Sequence, residues 1–376
     1  MMRALGAGRS RQGTWRPPVW ELVVVFVVGA VLIGVLEGEW PRGHALAEPM
    51  RDAAETMRTA MDVLAAHRIE HGPPLDSSTD INETGLIGAF FSELTTTVGS
   101  LEAKRTTTNP NVAALLVSLL CEAGAQPGDF VAVGASGSFP ALVLATVSAG
   151  QALGVRVGLI ISLGSSQFGA NLPDFTWIEM ERILAAAGVV SKRTVAASLG
   201  GDLDVGRDLE EDVRRLLRDK IDAFGVVFLD EPDLARNVEQ RMSIYEEEAR
   251  DARIAAFVSV GGGWANLGSD ASVLSVPPGL TDVGSLPPPS TRGVLHAMAD
   301  RGVPVIHLLN MKDLIRDHGL PWDPSPLPGV TEWAPRGEGE SALVLWCGGA
   351  YVGLIAGWFT SIVLRRRSAA QRRRPS

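Results

Sequence analysis

Two cysteines, four lysines and six histidines are all that this chain of 376 residues contains of those three side chains. Each scarcity removes a class of chemistry. Cys121 falls in an expected helix of the middle region and Cys347 in an apolar run near the C-terminus, so no disulfide can staple the middle region. Both read as apolar packing residues. The histidines are scattered, and no His/Cys spacing matches a zinc site, so no metal is expected and the sequence specifies no cofactor. Against thirty arginines the four lysines stand out, which singles out Lys104 in the segment TTTVGSLEAKRTTTNPN at 95–111.

Charge is absent from two long runs. LVVVFVVGAVLIGVL at 22–36 is uncharged, with Trp20 and Trp40 at its margins and Arg3, Arg9, Arg11 and Arg16 before it. Its fifteen residues are short for the about 20 that span a bilayer, and flanking PPVW and Gly38 extend it. SALVLWCGGAYVGLIAGWFTSIVL at 341–364 has 24 uncharged residues, followed by Arg365–Arg367 and Arg372–Arg374. Two transmembrane helices are therefore expected, both arginine-rich termini cytoplasmic and the middle region extracytoplasmic in a double-pass cell-membrane protein. A cleaved signal peptide ending near Ala45-Leu46-Ala47 is the alternative for the first run, and it leaves the same region outside. The expected divisions are residues 1–40 (cytoplasmic N-terminus and anchor), 41–340 (extracytoplasmic domain), 341–364 (second span) and 365–376 (cytoplasmic tail).

The net charge of −9 becomes −19 once the four N-terminal and six C-terminal arginines are set aside. Such a domain has no field for nucleic acid, and any anion it holds must be gripped locally.

Its 46% hydrophobic content gives ample core. Short apolar runs at 130–133, 155–162, 193–197, 226–229, 254–260 and 303–308 alternate with helical stretches near 140–153, 177–187, 207–223, 234–252 and 292–301. Further helices are expected near 45–70 and at 111–123, the latter with Asn109 as N-cap. The fold class expected is α/β, a doubly wound, mostly parallel sheet covered on both faces. Ligands bind such sheets at the carboxyl ends of the strands. Here those ends read GASGS (134–138), SLGSSQFGAN (162–171), ASLGGD (197–202), LDEPD (229–233), SVGGGWANLG (259–268) and HLLNMKD (307–313).

Several candidate site residues follow. Gly134 and Gly137 allow close backbone approach, and Ser136 and Ser138 put hydroxyls at the start of a helix. Three readings stay open: Ser138 caps the helix, the turn cradles an anion, or one serine is a nucleophile. The G-x-S-x-G elbow is not met, since Ser138 occupies its last position, and no histidine is assignable as its base, His307 being placed only at the end of another strand. Gly262, Gly263 and Asn266 form a turn that fails the G-x-G-x-x-G fingerprint, leaving a tight turn or a ligand loop. Asp230, Glu231 and Asp233 read as a solvated acidic turn or a cation site. Lys104 and Arg105 are expected ligand contacts, the two threonine triplets around them strand or cap material. SVPPGLTDVGSLPPPS at 275–290 is expected to border the cleft as a wall.

DINETGLIG (80–88), TTTVGSLEAKRTTTNPNVAALL (95–116), VAVGASGSFPAL (131–142) and Thr176-Trp177 resemble the poly-gamma-glutamate system protein family. The resemblance covers most of the middle region but not the C-terminal span and tail. It implies a membrane-anchored protein associated with synthesis or export of poly-γ-glutamate, a capsule or exopolymer. The implied partners are the polymer or γ-glutamyl fragments, membrane-bound synthase or export subunits, and the lipid bilayer. The family name records an association rather than a reaction, so no catalytic residue carries over. Three roles are left: a polymer-binding accessory subunit, an amide hydrolase or transferase using Ser136 or Ser138, and a membrane scaffold.

Overall fold

The computed structural model describes residues 40–330 and 338–371, and 18, 21, 23–25 and 27–29 of the N-terminal segment; side chains at 40–45, 338–348, 350, 366 and 368–371 are not described. Two compact units emerge: 46–335, and a second made from 1–45 with 336–376.

In chain order the larger unit runs α1 (Trp40–His71, which begins in the other unit), β1 (Thr95–Thr97), α2 (Leu101–Thr107), α3 (Asn111–Glu122), β2 (Phe130–Ser136), α4 (Pro140–Leu153), β3 (Arg156–Ser162) and β4 (Ser165–Ser166). It continues with α5 (Trp177–Ala186), β5 (Thr194–Ser198), α6 (Glu211–Phe224), β6 (Val227–Leu229), α7 (Leu234–Ala249), β7 (Ile254–Val260) and α8 (Trp264–Leu267). It ends with β8 (Gly279–Thr281), α9 (Val294–Asp300), β9 (Val305–Leu308) and α10 (Met311–Asp317). The seven-stranded sheet has the order β6-β5-β3-β2-β7-β9-β8, parallel except for β8 at the edge. All six strands expected from the sequence are present. The chain winds outward from β2 to β6 and then returns to β7, so the strand order reverses between β2 and β7. That reversal opens a crevice at the carboxyl edge.

Alternation decides which residues face which layer. Val131, Val133 and Ala135 of β2 join the large cluster under α1, α3, α4, α5 and α6, while Phe130 and Ala132 join the smaller one under α7 and α9. Strands buried on both faces need apolar residues at nearly every position, which explains the unbroken runs. Helix α6 shows the opposite pattern: Val213, Leu217 and Ile221 make one buried stripe on an otherwise charged helix, and Gly225 ends it with φ of 73°. The residue at the N-cap of α3 is Pro110, which makes no side-chain cap, and not Asn109 as expected; Asn109 Oδ1 stands one residue earlier and accepts from the Asn111 peptide N–H at 3.1 Å.

The structure bears on three further expectations. The first threonine triplet is strand β1 and the second ends helix α2 with Thr108 at its C-cap, the Thr106, Thr107 and Thr108 hydroxyls donating to the carbonyls of Glu102, Lys104 and Arg105. Such back-bonding lets threonine end a helix. The proline-rich segment is an edge rather than a cleft wall: its Gly279–Thr281 pairs with β9. Among the described residues no helix is long and apolar enough to cross a membrane, so the two flanking spans lack structural support. Most of the first, 22–36, lies outside the described residues, as do the side chains of 341–348 in the second.

In the smaller unit, helix α11 (Glu338–Gln371) contains the rest of the second run. Trp358 Nε1 donates to Glu21 at 3.1 Å, Arg365 pairs with the same carboxylate, and a Cβ at Gly29 would lie 3.0 Å from the Tyr351 hydroxyl. These contacts pair rising numbers in one segment with falling numbers in the other, an antiparallel arrangement.

Trp177 is 1% exposed, with its indole N–H donating to Thr194 Oγ1 at 3.3 Å. Trp177→Ala is expected to cost about 3–5 kcal/mol in urea unfolding, with an unchanged transition slope.

Candidate functional site

Polar residues replace apolar ones on one face of the sheet as the strands reach their carboxyl ends. Register places Ser136 of β2 beside Ser162 of β3 and Ser162 beside Ser198 of β5. One step back, Gly134 stands beside Ser259 of β7, and Ser259 beside His307 of β9. All share the face that carries Phe130, Ala132, Ile160 and Phe257. Above this seam lies a cleft of about 460 Å³, lined among others by Ser136, Ser138, Ser162, Ser166, Gly262 and Gly263. It occupies the crevice where the strand order reverses, and its volume is that of a small-ligand site.

The floor on the β3–β5 side is a sealed ion pair. Arg241 of α7 and Asp204 are 0% and 1% exposed, with Nη2 2.5 Å from Oδ2. The Ser162 and Ser198 hydroxyls both donate to Asp204 Oδ1, at 2.7 and 2.8 Å, and Asn237 donates to Oδ2 at 3.3 Å. Arg241 Nε donates to Asn237 Oδ1 at 2.8 Å. Leu203 and Asp204 both have positive φ, 51° and 65°, a backbone state worth about 1–3 kcal/mol of strain per residue. The dense bonding of Asp204 holds that strained loop. Beside it, Asp202 and Asp208 put two more carboxylates on the cleft wall.

Another part of the cleft lining is built from hydroxyls with one cation behind them. Lys104 is 3% exposed; its Nζ donates to Ser166 Oγ at 2.8 Å and to the Ser138 carbonyl, and sits 3.5 Å from the Phe139 ring centroid. Among the described residues it has no carboxylate partner. Burial pulls its pKa down to about 7, while the Phe139 face and the carbonyl, which favour the ammonium, pull against that. Thr96, Thr97 and Ser138 complete this wall.

The glycines and serines of the 134–138 turn each have a separate task. A Cβ at Gly134 would fall 2.4 Å from Asn266 Oδ1, and one at Gly137 would fall 2.7 Å from the Leu163 carbonyl. Glycine is required for both approaches. Ser138 does not cap α4, whose first turn has no side-chain cap; its hydroxyl instead accepts from the Ser166 peptide N–H at 3.0 Å. Ser136 Oγ is buried, lines the cleft and has no hydrogen-bond partner.

Of the residues expected at the site, Ser136, Ser138, Gly262 and Gly263 line one cleft. Lys104 stands directly behind it, and Gly134 and Asn266 pack beneath, Asn266 buried with Oδ1 unpartnered. Arg105 is turned elsewhere: Nε donates to Asp323 Oδ1 at 2.7 Å and Nη2 pairs with Oδ2, clamping the 321–324 loop to α2. His307 lies within β9, 1% exposed, with burial pushing its pKa down to about 4, so its ring is neutral. Asp233 caps α7, accepting from Arg236 N at 3.0 Å, and Glu231 pairs with Arg236, which makes LDEPD a capping turn. No group of acidic, His or Cys side chains among the described residues is placed to hold a metal ion.

Sequence reading missed Ser166, Ser162, Asp202, Asp204, Asp208 and Arg241. Ser162, Ser166 and Asp202 fall in stretches read as strand ends, Asp204 and Asp208 just beyond one and Arg241 in helix α7, and nothing local marks any of them. A separate surface depression of about 390 Å³ is lined by Arg68, whose guanidinium is already spent on the carbonyls of Pro73, Pro74, Gly85 and Ile87. No protein family, curated protein or solved structure matches the chain in comparison with known proteins.

Removing one member of a buried pair strands the other charge. Arg241→Met is therefore expected to cost about 3–5 kcal/mol in urea unfolding, and Arg241→Met combined with Asp204→Leu to cost less than the single change. Equal losses would show that Asp204 does not depend on Arg241.

Proposed function

We propose that the chain is a membrane-anchored accessory protein of poly-γ-glutamate synthesis or export, with its α/β domain outside the membrane and an end of the polymer seated in the strand-end cleft. The observation that carries this reading is the mixed lining of the cleft. It offers the hydroxyls of Thr96, Thr97, Ser138 and Ser166, with Lys104 behind Ser166, and the carboxylates of Asp202, which also pairs with Arg207 at 3.8 Å, and Asp208. A γ-linked glutamate chain presents carboxylates and amide carbonyls throughout but a free amine only at one end. The hydroxyls suit the former and the carboxylates the latter, which favours a chain end over the polyanionic interior.

Sequence resemblance adds weight because its segments converge here. Residues 95–116 supply Thr96, Thr97, Val98 and Lys104, and residues 131–142 supply Ser136, Ser138 and Phe139. Residues 80–88 abut the loop after β4, Gly88 N–H donating to the Phe168 carbonyl at 3.1 Å.

Membrane anchoring rests on the two uncharged runs, parts of which lie outside the described residues, and on apolar side chains left in the open. Val352, Phe359 and Leu364 of α11 are 67%, 57% and 57% exposed, a surface that needs a nonaqueous or protein cover. The antiparallel contacts of Glu21 and Gly29 with α11 fit both arginine-rich ends lying on one side.

Two measurements test the reading. Full-length protein in detergent is expected to bind short γ-linked glutamate oligomers by calorimetry, with binding weakened about tenfold or more by acetylating the terminal amine or by Asp202→Asn, the weight of one charge-assisted hydrogen bond. Indifference to the amine would remove the chain-end assignment, and no binding would remove the polymer. The anchor predicts that the protein stays with the membrane pellet after an alkaline carbonate wash; release into the supernatant would count against it.

A further inference from the structure

Among the described residues, Lys104 is the cation at the cleft that has no carboxylate partner. Arg241 is matched by Asp204 and Arg105 by Asp323. A lysine kept only for structure ordinarily pairs or reaches solvent, because burying an unpaired ammonium is costly. Here the amine is buried against the hydroxyl of a serine that lines a cleft.

We propose that Ser166 is a nucleophile and Lys104 its general base, a Ser–Lys pair that acts on an acyl group bound in the strand-end cleft. Three independent features support it. Nζ and Ser166 Oγ are 2.8 Å apart, within range for direct proton transfer. The pair is fixed from three sides: Nζ also bonds the Ser138 carbonyl, the Phe139 ring covers it, and the Ser138 hydroxyl accepts from the Ser166 peptide N–H at 3.0 Å. Gly99 packs closely beside the hydroxyl, where any side chain would crowd it: a Cβ would lie 3.0 Å from Ser166 Oγ and 2.6 Å from the Gln167 carbonyl. Of the other buried serines of the cleft, Ser136 has no partner at its Oγ, and Ser162 donates to Asp204 Oδ1 at 2.7 Å within the buried ion-pair network. His307, the only histidine near these strands by sequence, belongs to the neighbouring Ser259 register.

The chemistry balances with water as the only co-reactant. Neutral Lys104 takes the hydroxyl proton as Ser166 Oγ bonds to the acyl carbon and the carbonyl π pair moves to oxygen. Collapse of the tetrahedral intermediate breaks the C–N bond of an amide, and the leaving amine takes the proton from Lys104. Water then attacks the acyl–Ser166 ester, passing its proton to Lys104, and the proton returns to Oγ as the carboxylic acid leaves. The uncapped first turn of α4 opens at the same edge and brings its helix dipole to the side where negative charge develops. The choice of a γ-glutamyl amide as the acyl donor rests on the function proposed above; the nucleophile itself does not.

Burial lowers the Lys104 amine to about 7, so that neutral base is available near physiological pH. The charged neighbours leave this intact. On α2, Glu102 is turned to Ser100 and Arg105 is held by Asp323. On α10, which packs against α2, Asp313 and Asp317 pair with Arg316 while Lys312 is exposed. The 137–139 turn, β4 and α4 bring no charge.

The test is labelling of the full-length protein with a fluorophosphonate, in which an activated serine displaces fluoride from phosphorus. The adduct is expected on Ser166 by peptide mass spectrometry, at a rate that rises with pH to a plateau, and to vanish in Ser166→Ala. Lys104→Met, which keeps the stem packed, is expected to slow labelling about 10²-fold or more. If that variant fails to melt cooperatively, the pH profile of the unaltered protein carries the test. No adduct, an adduct on another serine, or a rate indifferent to pH would overturn the proposal. A separate arm incubates the protein with γ-linked glutamate oligomers and follows new free amine. Labelling at Ser166 without amine release keeps the nucleophile and overturns the γ-glutamyl substrate, whereas the calorimetric binding experiment stands or falls independently of both.

Discussion

A guanidinium and a carboxylate sealed from water hold the carboxyl edge of this sheet together. Burying Arg241 and Asp204 removes both from solvent, a cost that mutual attraction offsets only when the remaining lone pairs and N–H groups are bonded. Asp204 meets that condition through Ser162, Ser198, Asn237 and Arg241 itself. The same bonds tie together the ends of β3 and β5, helix α7 and the strained loop at 203–204. The acidic wall of the cleft inherits its position from this one contact.

The two buried cations of the cleft region have opposite roles. Arg241 has its charge partner, Asp204 Oδ2, 2.5 Å from Nη2. Lys104 has hydroxyl, carbonyl and aromatic neighbours in place of a carboxylate, and burial brings its titration down to about 7. A fixed charge organises structure, whereas a charge that can be lost near neutrality can move a proton. Both stand at one crevice, the paired cation against Asp204 and the unpaired one against Ser166.

Strands and helices were legible because their signals are local. The run at 254–260 must be apolar at almost every position to lie in the middle of a covered parallel sheet, and the stripe Val213, Leu217, Ile221 repeats at helical spacing. For the threonines at 106–108 propensity left strand and cap both open, and their hydroxyls, bonding back to the turn before them, close the helix with Thr108 as its cap. The proline-rich segment hid strand β8 for a similar reason: an edge strand of three residues needs pairing on only one side and tolerates nearby prolines. At the site, the glycines and serines of 134–138 stood out by type and spacing, but the tasks of Gly134 and Gly137 depend on Asn266 and Leu163, far along the chain.

The sequence by itself determined the alternation of strand and helix, the carboxyl edge as the place where polar and small residues gather, and the singular standing of Lys104 among so many arginines. Periodicity, composition and the geometry of parallel sheets act over a few residues, so a linear reading reaches them. Tertiary structure alone decided that Lys104 faces Ser166 and lacks a counter-charge while adjacent Arg105 is bound to Asp323 218 residues away. It also decided that Asp204 and Arg241 find each other. Side-chain partnership is a matter of distance in space and exclusion of water, and neither quantity is written along the chain until the sheet brings its strand ends together.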